Sequence, residues 1–189
     1  MIKDKPKKQE TGTVKNHDTS EKAVNTAILS IGSNLGNRIY NIEKTKYLIL
    51  KQKIKILNSS SFYETLSWPN PKFPKFLNII LKIKTNLSLK KLFLFLKLLE
   101  KKMGRKPSKK NYPRVCDIDI IDFNRKSYII NDKINEVYIP HPRMKTRNFV
   151  LFPLYEIDKN WKHAKSRENI SKLLSKLPIN SIRGIKVIN

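Results

Sequence analysis

The stretch TAILSIGSNLGNRIYNIEKTKYLILK, residues 26–51, joins an apolar strand to a helix through a tight turn. The apolar run from Ala27 to Ile31 is typical of a short strand. The hexapeptide GSNLGN at residues 32–37 predicts the turn, because glycine adopts positive φ readily and asparagine caps a following helix. We therefore expect a helix from about Arg38 to Lys51, so that the domain opens with a strand and a helix.

The chain beyond this helix continues with two strands around a proline-rich loop. Residues 54–63 alternate apolar and polar side chains, which predicts one strand. Three prolines place residues 68–74 in a loop. The apolar side chains from Leu77 to Ile83 alternate with Asn78 and Lys82, and this alternation predicts a second, half-buried strand.

A second helix and a further strand complete the predicted core. Ser88 is a candidate helix cap, Gly104 closes the helix just beyond its end, and residues 115–123 form a strand. The apolar stripe of this helix recurs at helical spacing: Leu89, Leu92, Phe93, Leu96, Leu99 and Met103. The order of elements in the first 123 residues is β-α-β-β-α-β, which is the split βαβ arrangement.

The C-terminal part of the chain adds smaller elements. Its patterns predict a β-hairpin over residues 127–139, a short helix over 149–157, a weaker helix over 170–177 and a final strand over 182–188. We thus expect an α+β fold with a mostly antiparallel sheet, helices packed on that sheet, and a C-terminal hairpin with short helices.

The N-terminal segment differs from the rest. Residues 1–25 are polar, charged and nearly free of large apolar side chains, which predicts a disordered tail ahead of one domain over residues 26–189. The longest apolar run, Leu92–Leu96, is far shorter than the about 20 residues of a membrane-spanning helix, and no signal peptide is evident. The single cysteine, Cys116, allows neither an internal disulfide nor a cysteine-based zinc site. We expect a cytoplasmic protein with no membrane partner.

The net charge of +25, from 40 Lys and Arg against 15 Asp and Glu, suggests a nucleic-acid partner, since cations release counterions from phosphate backbones. Composition offers another cause. Lys, Ile and Asn, the residues of A/T-rich codons, make up 74 of the 189 residues. The lysines scatter along the chain, and no RRM-like motif, KH loop or zinc finger accompanies them. We therefore favour compositional drift and expect no specific nucleic-acid partner.

Asp117-Ile118-Asp119 is the sharpest local motif. On a strand, both carboxylates face the same side, about 6.6–7 Å apart along the chain. Such a pair is costly among apolar neighbours unless a positive group lies between its members. Mg²⁺ fits, because it takes carboxylate and phosphate oxygens, although a solvated strand face with lysine partners is an equally open interpretation. The nearby Arg105 and Arg114 favour a site for a polyphosphate.

A second group of polar residues surrounds His141. Arg143 and Arg147 are four residues apart, so they share a face if they lie at the start of a helix. Taken alone, they fit a solvated arginine pair beside a turn histidine, and Glu100, late in the second helix, fits a surface charge. No Walker P-loop, nucleophile elbow or three-glycine dinucleotide turn occurs in the sequence.

Six short motifs occur in the order and near the spacing of one known family: GSNLGN at 32–37, SSFYET at 60–65, FLN at 76–78, GR at 104–105, PR at 113–114 before Asp117-x-Asp119, and PHPR at 140–143 leading to RNFVL at 147–151 and PLYEI at 153–157. Over about residues 26–160 the chain resembles the 6-hydroxymethyl-7,8-dihydropterin pyrophosphokinase family of folate biosynthesis.

The resemblance implies a ferredoxin-like βαββαβ fold and a reaction with two small-molecule substrates. Members of this family transfer the β,γ-diphosphate of ATP to 6-hydroxymethyl-7,8-dihydropterin and release AMP. ATP is then the co-substrate, and two Mg²⁺ ions are implied at Asp117 and Asp119. No partner beyond these molecules is implied, and we expect a monomer.

The resemblance also assigns roles to individual side chains. Arg105 and Arg114 match arginines that clamp the phosphates, and are the predicted catalytic residues together with Asp117 and Asp119. The nucleotide-side positions, besides the two arginines, are Glu100, His141, Arg143 and Arg147. The pterin-side positions are Thr65, Phe76, Asn78 and Phe149, with Asn78 reading the edge of the ring and the two phenylalanines stacking on it, although both phenylalanines also fit a core.

Three departures from the family fall in loops. Pro107 stands where a second arginine is usual, Tyr112-Pro113-Arg114 lacks the usual glycine, and the prolines after Thr65 are displaced to Pro69 and Pro71. Two alternatives remain open at this point: a basic RNA-associated protein on a decayed enzyme scaffold, and another Mg²⁺-dependent transferase that uses Asp-x-Asp.

Overall fold

The computed structural model describes residues 24–105, 111–131 and 136–188. Residues 1–23 of the predicted tail therefore lie outside the described residues, and so does Pro107. The elements are β1 Asn25–Ser33, α1 Arg38–Lys51, β2 Lys55–Ser59, β3 Phe62–Thr65, β4 Phe76–Thr85, α2 Leu89–Lys102, β5 Asp117–Phe123, β6 Tyr128–Asn131, β7 Glu136–Ile139, a 3-10 helix Pro142–Thr146, α3 Asn148–Ile157, α4 Ile170–Leu174, α5 Ile179–Arg183 and β8 Ile185–Ile188.

The main sheet is antiparallel and has the strand order β5-β1-β4-β3-β8, with β2 also paired to β4. β6 and β7 form a separate antiparallel hairpin, as predicted. The predicted α+β class with a mostly antiparallel sheet is thus confirmed. Among the residues that the structure describes, no helix has the length and apolarity needed to cross a membrane.

Two apolar cores lie on opposite faces of the sheet. Residues of α1 and α2 pack with β1, β4 and β5 in the larger core, whereas α3, α4 and Trp161 pack with Ile28, Ile80 and Ile121 in the smaller one. Because helices cover both faces, β4 is almost entirely buried. The prediction of a half-buried strand there was therefore wrong. The alternation of apolar and polar side chains along β4 gave no sign that helices would cover both of its faces.

The predicted strand over residues 54–63 is divided into β2 and β3. The register shifts between Ile56 and Asn58, and Ser60, between the two strands, exchanges hydrogen bonds with Ile80: the Ser60 N–H donates to the carbonyl at 2.9 Å, and the Ile80 N–H donates to Ser60 Oγ at 2.9 Å. The interruption depends on this contact with β4. The alternation of side chains along residues 54–63 gives no information about such a contact.

Other predicted boundaries shift by a few residues at the ends of the elements. β5 begins at Asp117 rather than at residue 115, and α4 ends at Leu174 rather than at residue 177. The final strand begins at Ile185, because the preceding residues form α5. α1 and α2 agree with the predicted bounds.

The caps account for the accurate helix ends. The Tyr40 N–H donates to Asn37 Oδ1 at 3.0 Å, and Ser88 caps α2. Gly36 and Gly104 have φ of +68° and +95°, which glycine adopts without the steric cost of a Cβ. Gly32 has no positive φ and lies inside β1, so the predicted role of a turn glycine applies to Gly36 alone in the hexapeptide.

The buried Trp161 provides a test of the smaller core. Its Nε1 donates to Asp122 Oδ2 at 3.0 Å, and the carboxylate also accepts the Arg125 N–H at 2.8 Å. We expect Trp161→Phe to lower the free energy of unfolding by about 1–3 kcal/mol, because a buried carboxylate loses a donor. Trp68→Phe, at the exposed tryptophan, should change it by less than about 0.5 kcal/mol. Equal losses in urea unfolding would contradict this account.

Candidate active site

A cavity of about 850 Å³ opens where β1 ends and where β4 and β5 begin, beside four further segments of the chain. These segments are residues 65–71 at and after the end of β3, Arg105, Asn111 and Arg114 between α2 and β5, 141–149 around the 3-10 helix, and 180–184 in and just after α5. All of the predicted site residues line this cavity except Glu100. Residues scattered over nearly half of the chain thus meet at one place.

The two carboxylates of β5 are partly exposed to the cavity and paired with arginines. Asp117 Oδ1 accepts from Arg105 at 2.9 Å and from Arg114 at 3.0 Å. Asp119 Oδ2 accepts from Arg147 at 3.1 Å. The three arginines come from three segments of the chain, so the pair of aspartates is the electrostatic centre of the cavity.

These aspartates offer ligands suited to a divalent cation. Within the described part of the chain, Asp117 Oδ2 and Asp119 Oδ1 accept no hydrogen bond, which leaves one oxygen of each carboxylate available. Carboxylate oxygens are the ligands that Mg²⁺ prefers, together with water and phosphate oxygens. Among the described residues, no group of three or more His, Cys, Asp or Glu side chains could hold a metal ion; a bound phosphate or water is a suitable source of further ligands.

Glu100 lies beneath the cavity rather than in its wall. The residue is only 2% exposed, so the interpretation of a surface charge was wrong. Its carboxylate accepts from the Ile118 N–H at 2.7 Å, from Lys97 Nζ at 3.1 Å and from Arg105. Burial raises the pKa of Glu100, although the charges of Lys97 and Arg105 oppose that rise.

The Glu100 contacts hold two parts of the site together. The carboxylate joins the end of α2 to the backbone of β5 and orients Arg105 toward Asp117. Burial disfavours the charged form of Arg105, but the neighbouring carboxylates of Asp117 and Glu100 outweigh it and raise the pKa of the guanidinium. Arg105 therefore remains charged at the edge of the cavity.

His141 caps the 3-10 helix, and its ring accepts the Arg143 N–H at Nδ1 over 3.1 Å. Burial lowers the pKa of His141, and the charges of Arg147 and Arg143 add to the effect while Asp119 opposes it. The neutral ring is thus favoured. Because Nδ1 accepts a hydrogen bond, the proton of that neutral ring is on Nε2, where it can be donated to a ligand oxygen.

Arg143 and Arg147 do not share one face of a helix, so that prediction was wrong. The 3-10 helix ends at Thr146, and Arg147 is extended with φ −101° and ψ 102°. Each guanidinium instead stacks near an aromatic ring of the cavity wall: Arg143 is 5.6 Å from the Trp68 centroid and Arg147 is 5.5 Å from the Phe149 centroid.

A polar and aromatic wall faces the aspartates from β3 and β4. Thr65 pairs with Phe76 in the antiparallel register, and Asn78 Nδ2 donates to Thr65 Oγ1 at 3.3 Å. Asn78 is nearly fully buried, and its oxygen accepts no hydrogen bond from the residues that the structure describes. This wall therefore combines a fixed amide group with a flat apolar surface at Phe76.

Gly32 makes this wall possible, although the sequence analysis did not identify it as a site residue. On β1 it pairs with Asn78 on one side and with Asp117 on the other. A Cβ at Gly32 would lie 2.8 Å from Asn78 Oδ1 and 3.4 Å from the Phe76 ring. A glycine inside a strand is a known signal of such close approach.

The C-terminal segment contributes another part of the wall. Asn180, Ser181 and Gly184 line the cavity, and the Ser181 carbonyl accepts from Asn148 Nδ2 at 2.7 Å. β8 then pairs with β3. No motif in the sequence pointed to this segment, because its role depends on contacts with residues far away along the chain.

Comparison with known proteins agrees with the resemblance found in the sequence. A family model described as 7,8-dihydro-6-hydroxymethylpterin-pyrophosphokinase matches residues 28–159. The chain is 37% identical over 147 residues to the 2-amino-4-hydroxy-6-hydroxymethyldihydropteridine pyrophosphokinase of Aquifex aeolicus, and the match covers 78% of this chain and 89% of that protein. Identity to the protein of the same name from Bacillus subtilis is 34% over 134 residues, with 70% and 78% covered.

Longer relatives carry a similar region. The folic acid synthesis protein of Pneumocystis carinii is 35% identical over 172 residues, but this chain spans only 23% of its length. A solved HPPK-DHPS structure from Plasmodium falciparum, determined with pteroate, has a TM-score of 0.71 at 17% identity and covers 90% of this chain and 48% of its own. At that identity the likeness shows the shared fold alone.

The buried position of Glu100 predicts that its substitution lowers the free energy of unfolding more than substitution of its neighbour Lys97 does. Glu100→Gln should lower the free energy of unfolding by about 1–3 kcal/mol, because the Ile118 amide and Arg105 lose a charged acceptor. Lys97→Gln should lower it by less than about 1 kcal/mol, because the Lys97 side chain is 44% exposed and such ion pairs are weak. Urea unfolding measures both values, and similar losses in the two variants would contradict the assignment.

Proposed function

This chain belongs to the 7,8-dihydro-6-hydroxymethylpterin-pyrophosphokinase family, and we propose that it transfers the β,γ-diphosphate of ATP to 6-hydroxymethyl-7,8-dihydropterin. The products are AMP and the pterin diphosphate, an intermediate of folate biosynthesis. The observation that carries the proposal is the meeting of an aspartate pair, its arginines and the Asn78 wall in one cavity.

The nucleotide occupies the arginine-rich part of the cavity in this proposal. Arg105, Arg114 and Arg147 are each paired to an aspartate, and a triphosphate offers competing oxygens that suit the planar guanidinium. Arg143 and the Nε2 proton of His141 add donors on the same side. Glu100 supports this side indirectly, through its contact with Arg105.

Asp117 and Asp119 are the residues that would hold Mg²⁺. When bound there with ATP, Mg²⁺ neutralises charge on the phosphates and favours an in-line arrangement of the reacting oxygens. The side chains of the protein bind and orient the two substrates around this centre. Reactions of this kind depend on positioning and charge stabilisation more than on a strong protein base.

The pterin lies against the wall formed by β3 and β4. Asn78 is anchored by Thr65, so its amide presents a fixed hydrogen-bonding pattern to the edge of a flat ring. Phe76 and Phe149 supply the stacking surfaces. Asn78 and Asp117 both pair with Gly32, which puts them two strand spacings apart, about 9–10 Å. That separation leaves room for a bicyclic ring whose substituent reaches the aspartates.

Further features of the protein belong to the same proposal. The catalytic domain begins with β1 at Asn25, one residue ahead of the predicted boundary, and it follows the polar N-terminal segment. The domain acts as a cytoplasmic monomer, and its only partners are the two substrates. A specific RNA partner is disfavoured, since the lysines scatter along the chain and no RNA-recognition motif accompanies them. The side chains facing Asp117 favour a flat heterocycle over the sugar acceptor of another Asp-x-Asp transferase.

A direct assay tests the proposal. Purified protein is incubated with ATP and Mg²⁺, and AMP formation is followed with and without 6-hydroxymethyl-7,8-dihydropterin. AMP that appears only with the pterin supports the proposed reaction. Absence of AMP in both reactions, or equal AMP without the pterin, would exclude it.

The aspartate pair predicts a large loss of turnover on neutralisation. We expect Asp117→Asn and Asp119→Asn each to reduce kcat at least about 100-fold, the scale of losing one preorganised electrostatic group. Asp158→Asn is the matched control, because Asp158 forms ion pairs with Lys82 and Arg125 and does not line the cavity. Near-normal turnover of both cavity variants at saturating Mg²⁺ would overturn the metal assignment.

The two phenylalanines predict a selective loss of pterin affinity. Phe76→Ala and Phe149→Ala should each weaken pterin binding about 5- to 150-fold, the cost of losing one stacking face, with a smaller effect on an ATP analogue. Phe95→Ala, at a half-buried phenylalanine of the larger core, should lower the melting temperature without selectivity for the pterin. A large melting loss in the cavity variants with equal effects on both ligands would identify them as core residues.

A further inference from the structure

Asn34 is a buried polar residue that the proposed mechanism does not use. It is 1% exposed and does not line the large cavity. Its Nδ2 donates to Ser67 Oγ at 3.2 Å and to the Pro74 carbonyl at 3.1 Å. Its Oδ1 accepts from the Arg114 N–H at 2.7 Å, and its own N–H donates to the Arg114 carbonyl at 3.1 Å.

The two ends of this amide therefore hold two different segments. The donor end holds residues 66–75, which connect β3 to β4 and bring Trp68 and Pro71 to the cavity. The acceptor end holds the backbone of Arg114, whose side chain contacts Asp117. Residues 66–75 adjoin the predicted pterin wall, whereas Arg114 is on the phosphate side. Asn34 hydrogen-bonds to both segments, and the rings of Phe73 and Tyr112 also bring them into contact, with centroids 5.4 Å apart.

We infer that Asn34 is a positioning residue that fixes the pterin-side segment 66–75 and Arg114 relative to each other. The inference rests on the proposed function, because it concerns the placement of the two substrates of that reaction. Only a side chain with a donor and an acceptor on one short planar group can form hydrogen bonds with both segments from this position. A residue lacking either group leaves one segment without its hydrogen bond to this side chain.

The contacts of Asn34 predict a combined effect on binding and turnover. Loss of the donor end loosens the wall against which the pterin rests, which raises the KM for the pterin. Loss of the acceptor end displaces the Arg114 backbone, which lowers kcat, since misplacement of a catalytic group by about 1 Å costs about 100-fold in rate in unfavourable cases. A residue that only stabilised the fold would change neither parameter in the folded protein.

The test uses the full chain, with AMP formation as the readout and the melting temperature measured in parallel. We expect Asn34→Ala to raise the pterin KM about ten-fold and to lower kcat about ten-fold, the scale of one or two net hydrogen bonds. The control is Asp122→Asn, which disrupts the buried contacts to Trp161 and Arg125 away from the cavity. It should lower the melting temperature and leave both kinetic parameters within two-fold.

A second variant separates the two ends of the amide and protects the test against poor folding of Asn34→Ala. Asn34→Asp has the same shape, and above the pKa of the new carboxyl it retains the acceptor for Arg114 while losing both donors. At pH 8 we expect the pterin KM to rise at least about five-fold, with a smaller fall in kcat than in Asn34→Ala.

The outcomes are distinct. Asn34 variants with pterin KM and kcat within two-fold of the wild type, whatever their melting temperatures, would overturn the inference and leave the proposed function intact. Asp122→Asn with the same kinetic losses as Asn34→Ala would also overturn it, because instability would then explain both. A wild-type protein that forms no AMP would overturn the proposed function and this inference together.

Discussion

The balance between two carboxylates on β5 and the arginines around them is the interaction on which the site depends. Asp117 is paired with Arg105 and Arg114, and Asp119 is paired with Arg147. Partly buried carboxylates are costly without positive partners. Those partners come from the end of α2, the segment before β5 and the start of α3, so this one requirement brings three distant segments to the same place. In the proposed function, the triphosphate would pair with the arginines and Mg²⁺ would pair with the aspartates. Neither the positive nor the negative side chains would then be left without a partner of opposite charge.

The antiparallel register determines how far apart the two halves of the site lie. β1 is between β4 and β5, and Gly32 on β1 has Asn78 on one side and Asp117 on the other. The amide and the carboxylate are therefore on a rigid sheet, at a separation that the strand spacing defines. Sites built on strands vary less in geometry than sites built on loops. The segments that carry Arg114 and Trp68 are tied to that sheet through Asn34.

Buried polar groups beneath the cavity hold the residues of its wall in position. Glu100 accepts from the Ile118 backbone and from Arg105, and in the described residues every side-chain nitrogen and oxygen that is itself fully shielded from solvent has a hydrogen-bond partner. Such networks fix side-chain positions, because an unsatisfied buried group costs more than a hydrogen bond gains. The residues that line the cavity are thus held by neighbours that do not line it.

The sequence by itself determined the α+β class, both long helices and the family to which the chain belongs. Those features are local: side-chain periodicity, the caps at Asn37 and Ser88, and short motifs such as Asp117-x-Asp119 depend on residues within a few positions of one another. Only the tertiary structure decided that Glu100 is buried, that Gly32 makes room for Asn78, and that α5 lines the cavity. These outcomes depend on contacts between residues many positions apart. The sequence pattern of one strand or helix indicates which of its faces are apolar, but it contains no information about which distant segment will cover them.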